Sequence, residues 1–229
     1  YAGKPVVIKP KSTNFGLGIT ILKHNYDETD FKAALQIAFE HDNTVLIEKF
    51  IPGREFRIFI INDEVVGILH RVPANVTGDG VLNIGQLIDR KNEDPLRGKG
   101  YRTPLEKIRK GREEEMFLKQ QGMDFNTVPK EGEVVYLREN SNISTGGDSI
   151  DFTDDIDDSY KAIAVEAAKA LNVKITGLDM MIQDIHAPAT PDNYAIIEMN
   201  FNPAIHIHCY PFKGKNRHLN HKMIRALGF

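Results

Sequence analysis

The chain contains no tryptophan and only one cysteine, Cys209. A single thiol rules out an internal disulfide, so the fold has to be held by packing and hydrogen bonds, as in a reducing cytosol. There is no signal-like segment and no apolar run of about 18 residues, which argues against membrane insertion and predicts a cytoplasmic protein. An excess of positive charge is also lacking: 29 Lys and Arg stand against 32 Asp and Glu, a net charge of −3, so nothing pulls the whole molecule toward nucleic acid. We find no internal repeat and no low-complexity linker. What remains is 229 residues, 41% of them hydrophobic, enough for one or two buried cores.

Against that background the acids at strand ends stand out. Asp179 lies within the apolar run Gly177-Leu178-Asp179-Met180-Met181-Ile182, and Glu198-Met199-Asn200 closes Tyr194-Ala195-Ile196-Ile197. Residues two apart in a strand share a face, so Glu198 and Asn200 point the same way. The polar, proline-bearing stretch from Asp184 to Asn193 suits an antiparallel return. A regular ladder with Gln183 opposite Tyr194 sets Asp179 opposite Glu198. Two carboxylates and an amide oxygen held that close call for a proton or a cation between them. Oxygen-only ligands favour Mg²⁺ or Mn²⁺. Two ordinary strand-end acids are the alternative reading.

Near the N-terminus, Pro5-Val6-Val7-Ile8-Lys9-Pro10 reads as a short buried strand ending in a lysine, and Lys11-Ser12-Thr13-Asn14-Phe15-Gly16-Leu17-Gly18 follows it. Gly16 and Gly18 let the backbone approach an anion, and Lys9 adds a point charge for phosphate oxygens. No Gly-Lys-Ser/Thr triplet follows, so this is not a Walker loop. A plain hairpin turn is the simpler alternative. Further on, the apolar stretches Val45 to Ile51 and Phe56 to Ile61 flank Pro52-Gly53, a break that suits a hinge. Extended backbone at Glu48, Lys49, Phe50 and Ile51 offers groups to an adenine edge, and Glu55 can accept from ribose hydroxyls.

Taken in order, the strand lysine with its glycine loop, Glu48-Lys49-Phe50-Ile51-Pro52-Gly53-Arg54-Glu55, Gly177-Leu178-Asp179 and Glu198-Met199-Asn200 resemble the ATP-grasp superfamily of carboxylate–amine ligases. Closer likeness comes from Arg71-Val72-Pro73-Ala74-Asn75-Val76-Thr77-Gly78-Asp79-Gly80, Val135-Tyr136-Leu137-Arg138-Glu139-Asn140-Ser141-Asn142-Ile143-Ser144-Thr145-Gly146-Gly147 and Glu198-Met199-Asn200-Phe201-Asn202-Pro203. These resemble the ATP-grasp module of bifunctional glutamate–cysteine ligase/glutathione synthetases, and also that of cyanophycin synthetases. The ending, from Cys209-Tyr210-Pro211-Phe212 to Phe229, is similar to the former.

The resemblance implies an α+β ATP-grasp fold: a small α/β lobe over residues 1–53, a larger mixed-sheet lobe over 54–229, and ATP between them. It implies that Lys9, Gly16 and Gly18 hold ATP phosphates, that Glu48 to Ile51 bind adenine and that Glu55 binds ribose. Asp179, Glu198 and Asn200 would hold two Mg²⁺ or Mn²⁺ ions. Arg138 would lie near the transferring phosphoryl group, with Asn142, Thr145, Gly146 and Gly147 as donors to the same anion; a surface loop of turn formers is the alternative. The implied reaction joins γ-glutamylcysteine and glycine at the expense of ATP, giving glutathione, ADP and phosphate. No side-chain nucleophile is needed, so Ser144 and Cys209 need not take part. A cyanophycin-synthetase-like ligase and a nucleotide-binding piece without catalysis remain the other readings.

The sequence departs from the family at two places. It opens a few residues before Lys9, without the N-terminal subdomain that usually adds a further lysine, so it reads as a piece of a larger, multifunctional enzyme, with a homodimer as the expected assembly. Gly177 stands where some relatives carry an arginine two residues before the metal-binding Asp, and Arg138 is the residue expected to replace that charge.

Several segments carry structural expectations. Asp27 to Glu40 reads as a helix with Phe31, Leu35, Ala38 and Phe39 on its buried side, and Ser159 to Leu171 as another with Ile163, Ala167, Ala170 and Leu171 inward. Phe56 to Ile61 and Glu64 to Leu69 form a hairpin through Asn62-Asp63. The acidic run from Asp151 to Asp158 suits a helix N-terminus. The basic stretch Arg97 to Arg112 reads either as a lid over a polyanion or as a surface helix from Pro104 onward. Alternation would put His206 and His208 on one strand face; a packed or pocket-lining segment is preferred there to a transition-metal site.

Overall fold

A computed structural model describes residues 3–13, 17–23 and 25–229, and the chain divides into two compact units, Tyr1–Pro52 and Gly53–Phe229. The first unit holds β1 (Val6–Pro10), β2 (Thr20–Leu22), α1 (Glu28–Phe39) and β3 (Val45–Lys49). Its sheet runs β2-β1-β3, antiparallel throughout. Val6 and Ile8 alternate inward from β1 and meet Ala34 and Ala38 of α1. Asp27 caps α1, its side chain accepting from Asp30 N–H at 2.9 Å. Phe31 and Leu35 pack against this core as expected, but Phe39 is exposed. The inward stripe follows the small residues, which let helix and sheet approach closely.

In the second unit the elements are β4 (Arg54–Ile61), β5 (Glu64–Val72), β6 (Asn75–Thr77), α2 (Ile84–Lys91), β7 (Arg97–Gly98), β8 (Leu105–Glu106) and α3 (Arg112–Gln120). They continue with β9 (Val134–Tyr136), β10 (Asp148–Asp151), α4 (Asp158–Ala170), β11 (Ile175–Ile182), β12 (Tyr194–Asn200), α5 (His206–Cys209) and α6 (Leu219–Ala226). The main sheet runs β10-β5-β4-β11-β12 with every pair antiparallel; β7 and β8 pair in parallel, and a single parallel bridge joins Ile150 to Lys213. Asn62 and Asp63 both take positive φ, at 48° and 65°, which matches the twist of a two-residue hairpin between β4 and β5.

The alternation of β4 sorts the two faces of this sheet. Phe56, Ile58 and Ile60 join Ile68, Leu178, Met180 and Ile182 beneath Tyr160, Ala164 and Ala168 of α4. The inward side of α4 is thus turned from the one expected: Ile163 and Ala167 pack at its margin, while Ala170 and Leu171 are exposed. On the opposite face Phe59, Ile61 and Val66 lie under Cys209 and Leu219. The remainder of that face is charged. A separate core gathers β6, β9, α2 and α3 around Val76, Ile84, Ile88, Leu118 and Val135.

Three local expectations are corrected. No helix starts at Pro104; Leu105 and Glu106 form a strand and the helix begins at Arg112. Arg97 is no part of an exposed lid, since its side chain is fully buried against Asp148. His206 and His208 lie on the short helix α5, not on a strand, so alternation does not apply: His208 is buried and His206 exposed. The acidic run serves two ends. Asp157 caps α4 through Ser159 N–H at 3.0 Å, while Asp151 and Asp154 bind Arg217.

Ile58 is fully buried between sheet and α4, and Leu171 is 54% exposed at the end of that helix. We expect Ile58→Ala to cost about 2–5 kcal/mol in urea unfolding and Leu171→Ala to stay within about 0.5 kcal/mol.

Candidate functional site

Hydrogen bonding sets Asp179 in the middle of the charged face of the main sheet. It pairs with Arg57 on one side and with Glu198 on the other, so the three side chains cross β4, β11 and β12 in line. Asp179 Oδ1 accepts from Arg57 Nε; Oδ2 accepts from Arg57 Nη2 and from Arg71 Nη2, each at 2.9 Å. Arg71 reaches across β4 from β5 and also pairs with Glu55. Glu55 accepts in turn from Ser141 Oγ at 2.5 Å. Glu198 is exposed, and Asn200 Nδ2 donates to its Oε1 at 3.1 Å.

The pairing of Asp179 with Glu198 is reached by a route different from the regular ladder. Tyr194 pairs with Ile182, not with Gln183, and a β-bulge between Asp179 and Met180 absorbs the difference at Ile197. Tyr194 thereby packs against the core under α4 while Glu198 and Asn200 turn to the face of Asp179.

Ser141 links this cluster to the loop before β10. Thr145 Oγ1 donates to Asn140 Oδ1 and to the Asn142 carbonyl, both at 2.9 Å, and Gly147 N–H reaches the same carbonyl at 3.2 Å. Arg97 Nη1 donates to the Gly146 carbonyl at 3.0 Å and to that of Glu106 at 2.9 Å, and its Nη2 binds Asp148. Asp148 is further held by Lys91 at 2.7 Å and Asn75 at 3.0 Å. Arg138, by contrast, is bound to Glu113 and to the buried Glu114 of α3, with 2.6 Å to the latter. No hydrogen bond or ion pair joins Arg138 to Asp179 among the described residues.

In the first unit Lys9 forms an ion pair of 2.7 Å with Glu48 across β1 and β3. Gly18 has φ +77°, and a Cβ there would stand 2.7 Å from Pro10 and from His41, so only glycine closes the loop in this way. Gly16 lies outside the described residues. Lys49 is the exposed end of β3, Phe50 N–H donates to the Pro5 carbonyl at 3.0 Å, Lys23 lies over the Phe50 ring, and Ile51 is half-buried.

Residues 2–83 match the family described as "D-ala D-ala ligase C-terminus". Across its whole length the chain is 63% identical to a glutathione biosynthesis bifunctional protein GshAB of Desulfotalea psychrophila, covering 29% of that protein. It is 57% identical over 99% of its length to the GshAB of Clostridium perfringens, again 29% of the relative. A crystal structure of a bifunctional glutathione synthetase from Pasteurella multocida superposes with a TM-score of 0.76 at 47% identity, over 99% of this chain and 31% of that one. The chain is a homologue of the GshAB proteins. Its fold is of the ATP-grasp type, and it spans under a third of the length of these relatives.

Within this GshAB homologue, two functional candidates were underweighted from sequence. Arg57 interrupts an otherwise apolar strand at the same parity as Glu55, a pattern that marks a buried ion pair. Arg71 stands beside it but on a different strand, so only the fold joins the two. Burial alone would raise the Asp179 carboxyl; the hydrogen bond from Arg57 and the charge of Arg71 outweigh it and hold the carboxyl below the usual carboxylate range. His70 is pushed down to about 4 by burial and then by Arg54, and His208 to about 3 by burial and then by Arg57.

Both histidines therefore fold in the neutral form, while the unfolded chain takes up protons near 6.5, the ordinary value for histidine. Their contribution to stability is complete above that value and is lost as pH falls toward 4 and 3. We expect unfolding between these limits to take up about one proton per histidine near pH 5. Denaturation followed across that range should show stability rising with pH, with a smaller slope in His208→Gln.

Proposed function

We propose that this chain carries the glutathione synthetase step: ATP phosphorylates the cysteinyl carboxylate of γ-glutamylcysteine, and glycine attacks the resulting acyl phosphate. One carboxylate oxygen forms a bond to the γ-phosphorus as ADP leaves. The glycine amine then bonds to the acyl carbon, phosphate departs and the amine loses a proton, leaving glutathione. A carboxylate is a poor electrophile, and its attack on an anionic phosphoryl group needs fixed positive charge nearby. The observation that carries this reading is the juxtaposition of Asp179 and Glu198 on one face beside two guanidiniums. Identity of 63% with a GshAB protein supports it.

The donor set suits magnesium or manganese. Asp179 and Glu198 are hard anionic oxygens on adjoining strand positions, and Asn200 shares their face. Two such ions, when bound, would screen the repulsion between carboxylate and phosphates. We assign Lys9 and the loop with Gly16 and Gly18 to the ATP phosphates, Glu48, Lys49, Phe50 and Ile51 to adenine, and Glu55 to ribose. Asn142, Thr145, Gly146 and Gly147 offer donors to the transferred group, with Arg138 as its cation; for that role the Arg138 pairs with Glu113 and Glu114 must open. Glu55 already accepts from Arg71 and Ser141, so ribose would share it with both.

We take residues 1–53 and 54–229 as the two ATP-grasp lobes, in a cytoplasmic, multifunctional enzyme that also supplies γ-glutamylcysteine and assembles as a homodimer. No helix among the described residues is long and apolar enough to cross a membrane. The direct test is mass-spectrometric detection of glutathione from γ-glutamylcysteine, glycine and Mg·ATP with the full-length protein. ATP turnover without dependence on both amino-acid substrates would refute the assignment.

Asp179→Asn and Glu198→Gln should each lower turnover by on the order of 10²-fold or more while circular dichroism stays native. Near-normal rates in either would remove the metal assignment. Lys9→Ala should weaken ATP binding more than AMP binding in calorimetry, because AMP lacks the distal phosphates; equal losses would make Lys9 a structural residue.

A further inference from the structure

Asp179 is 2% exposed, and every hydrogen bond its carboxylate accepts comes from a guanidinium. Glu198, its neighbour on the ladder, has no cation among the described residues, and the amide of Asn200 donates to it. Positive charge is therefore concentrated on one of two facing carboxylates. The two arginines are held in different ways. Arg57 sits directly opposite Asp179, and its side chain lies over Gly177, where a Cβ would be 3.0 Å from Arg57 Cδ and 2.8 Å from Pro203. Gly177 thus leaves the space that Arg57 fills, so the charge beside Asp179 comes from the adjoining strand and not from Arg138. Arg71 reaches Asp179 from two strands away through a single nitrogen, and among the described residues its buried Nε has no partner.

We propose that Arg57 and Arg71 are the resident counter-ions of Asp179 in the free protein, and that Arg71 is handed to an oxyanion when a divalent cation takes Asp179. This rests on the reading of Asp179 and Glu198 as cation ligands. A divalent ion held by Asp179 and Glu198 would compete with the guanidiniums for the Asp179 carboxylate. Arg57 is fixed by Gly177 and its ladder position. Arg71 is released from Asp179 while keeping its pair with Glu55, and the donors left over on its planar fork match the phosphate or carboxylate that arrives with the ion. Cation and oxyanion then bind cooperatively, because each removes the partner the other would have to displace. Arg71 is on this account a binding residue for the oxyanion and a competitor for the metal.

The test is Mn²⁺ affinity by electron paramagnetic resonance in full-length wild-type and Arg71→Met proteins, with Mn²⁺ alone, with ATP and with γ-glutamylcysteine. Removing the competing charge should tighten Mn²⁺ binding alone by about tenfold. It should also abolish the tightening that the oxyanion produces in the wild type. The arm in which that coupling collapses identifies the oxyanion as phosphate or carboxylate. Arg71→Lys, which keeps the charge and loses the fork, should retain wild-type affinity for Mn²⁺ alone yet lose the coupling, and it carries the test if Arg71→Met does not fold. Gly177→Ala, which crowds Arg57, should shift Mn²⁺ affinity without touching Arg71. Wild-type Mn²⁺ binding with unchanged affinity and coupling in both Arg71 variants would overturn the proposal and leave the proposed function standing. Absence of Mn²⁺ binding to the wild type even with ATP would overturn both.

Discussion

A carboxylate placed in the interior of a five-stranded sheet sets the terms for everything around it. Asp179 is enclosed by β4 and β12, and an unpaired anion there would carry a desolvation cost of several kcal/mol. The sheet meets that cost by bringing Arg57 from the adjoining strand and Arg71 from the one beyond. Strand order is therefore tied to charge: only with β5 and β4 stacked beside β11 do both guanidiniums reach one carboxylate. The same demand divides this face. Its other end, with no charge to serve, is filled by Phe59, Ile61 and Val66 under the C-terminal helices.

A second buried carboxylate anchors what lies beside the first. Asp148 opens β10 next to β5 and collects Arg97, Lys91 and Asn75, residues that come from three different elements. Burial lowers the pKa of both Lys91 and Arg97, and the nearby Asp148 partly restores each. Arg97 Nη1 donates to the carbonyls of Glu106 and Gly146, so the loop over 142–147 is fixed from outside as well as by its own turns. Together with the contact from Ser141 to Glu55, this makes the loop an extension of the sheet.

Much of this was legible in the sequence, and where reading failed the reason is geometric. The β4–β5 hairpin, α1, α4 and the two acid-bearing strands follow from local periodicity and turn residues, which need no knowledge of distant contacts. Three of the four residues expected on the inward side of α1 lie there, Phe39 excepted, but the inward side of α4 was misjudged, since Ala170 and Leu171 are exposed. In the structure alanines face the sheets, and Phe39 and Leu171 lie at helix ends beyond the core. Alternation misled at His206 and His208 since the segment is helical. Arg57 and Arg71 were hard to weigh because their partner lies more than a hundred residues away, and Arg138, just before the 142–147 loop in sequence, finds its acids on α3.

The bulge at Ile197 works as a shift of reading frame within a strand. Before it, Tyr194 and Ile196 belong to the phase that faces the core; after it, Met199 takes over that phase and Glu198 and Asn200 pass to the other side. One strand thus serves a greasy interior at its start and an ionic surface at its end without changing direction. The consequence is an unequal tolerance to length change. Deleting Ile197 leaves a regular ladder in which Tyr194 still meets Ile182 and Glu198 still meets Asp179. Deleting Ile196 gives the same sequence, whereas deleting Ala195 gives the same count but puts an isoleucine opposite Met181, so length variation in this strand is confined to the Ile196-Ile197 pair.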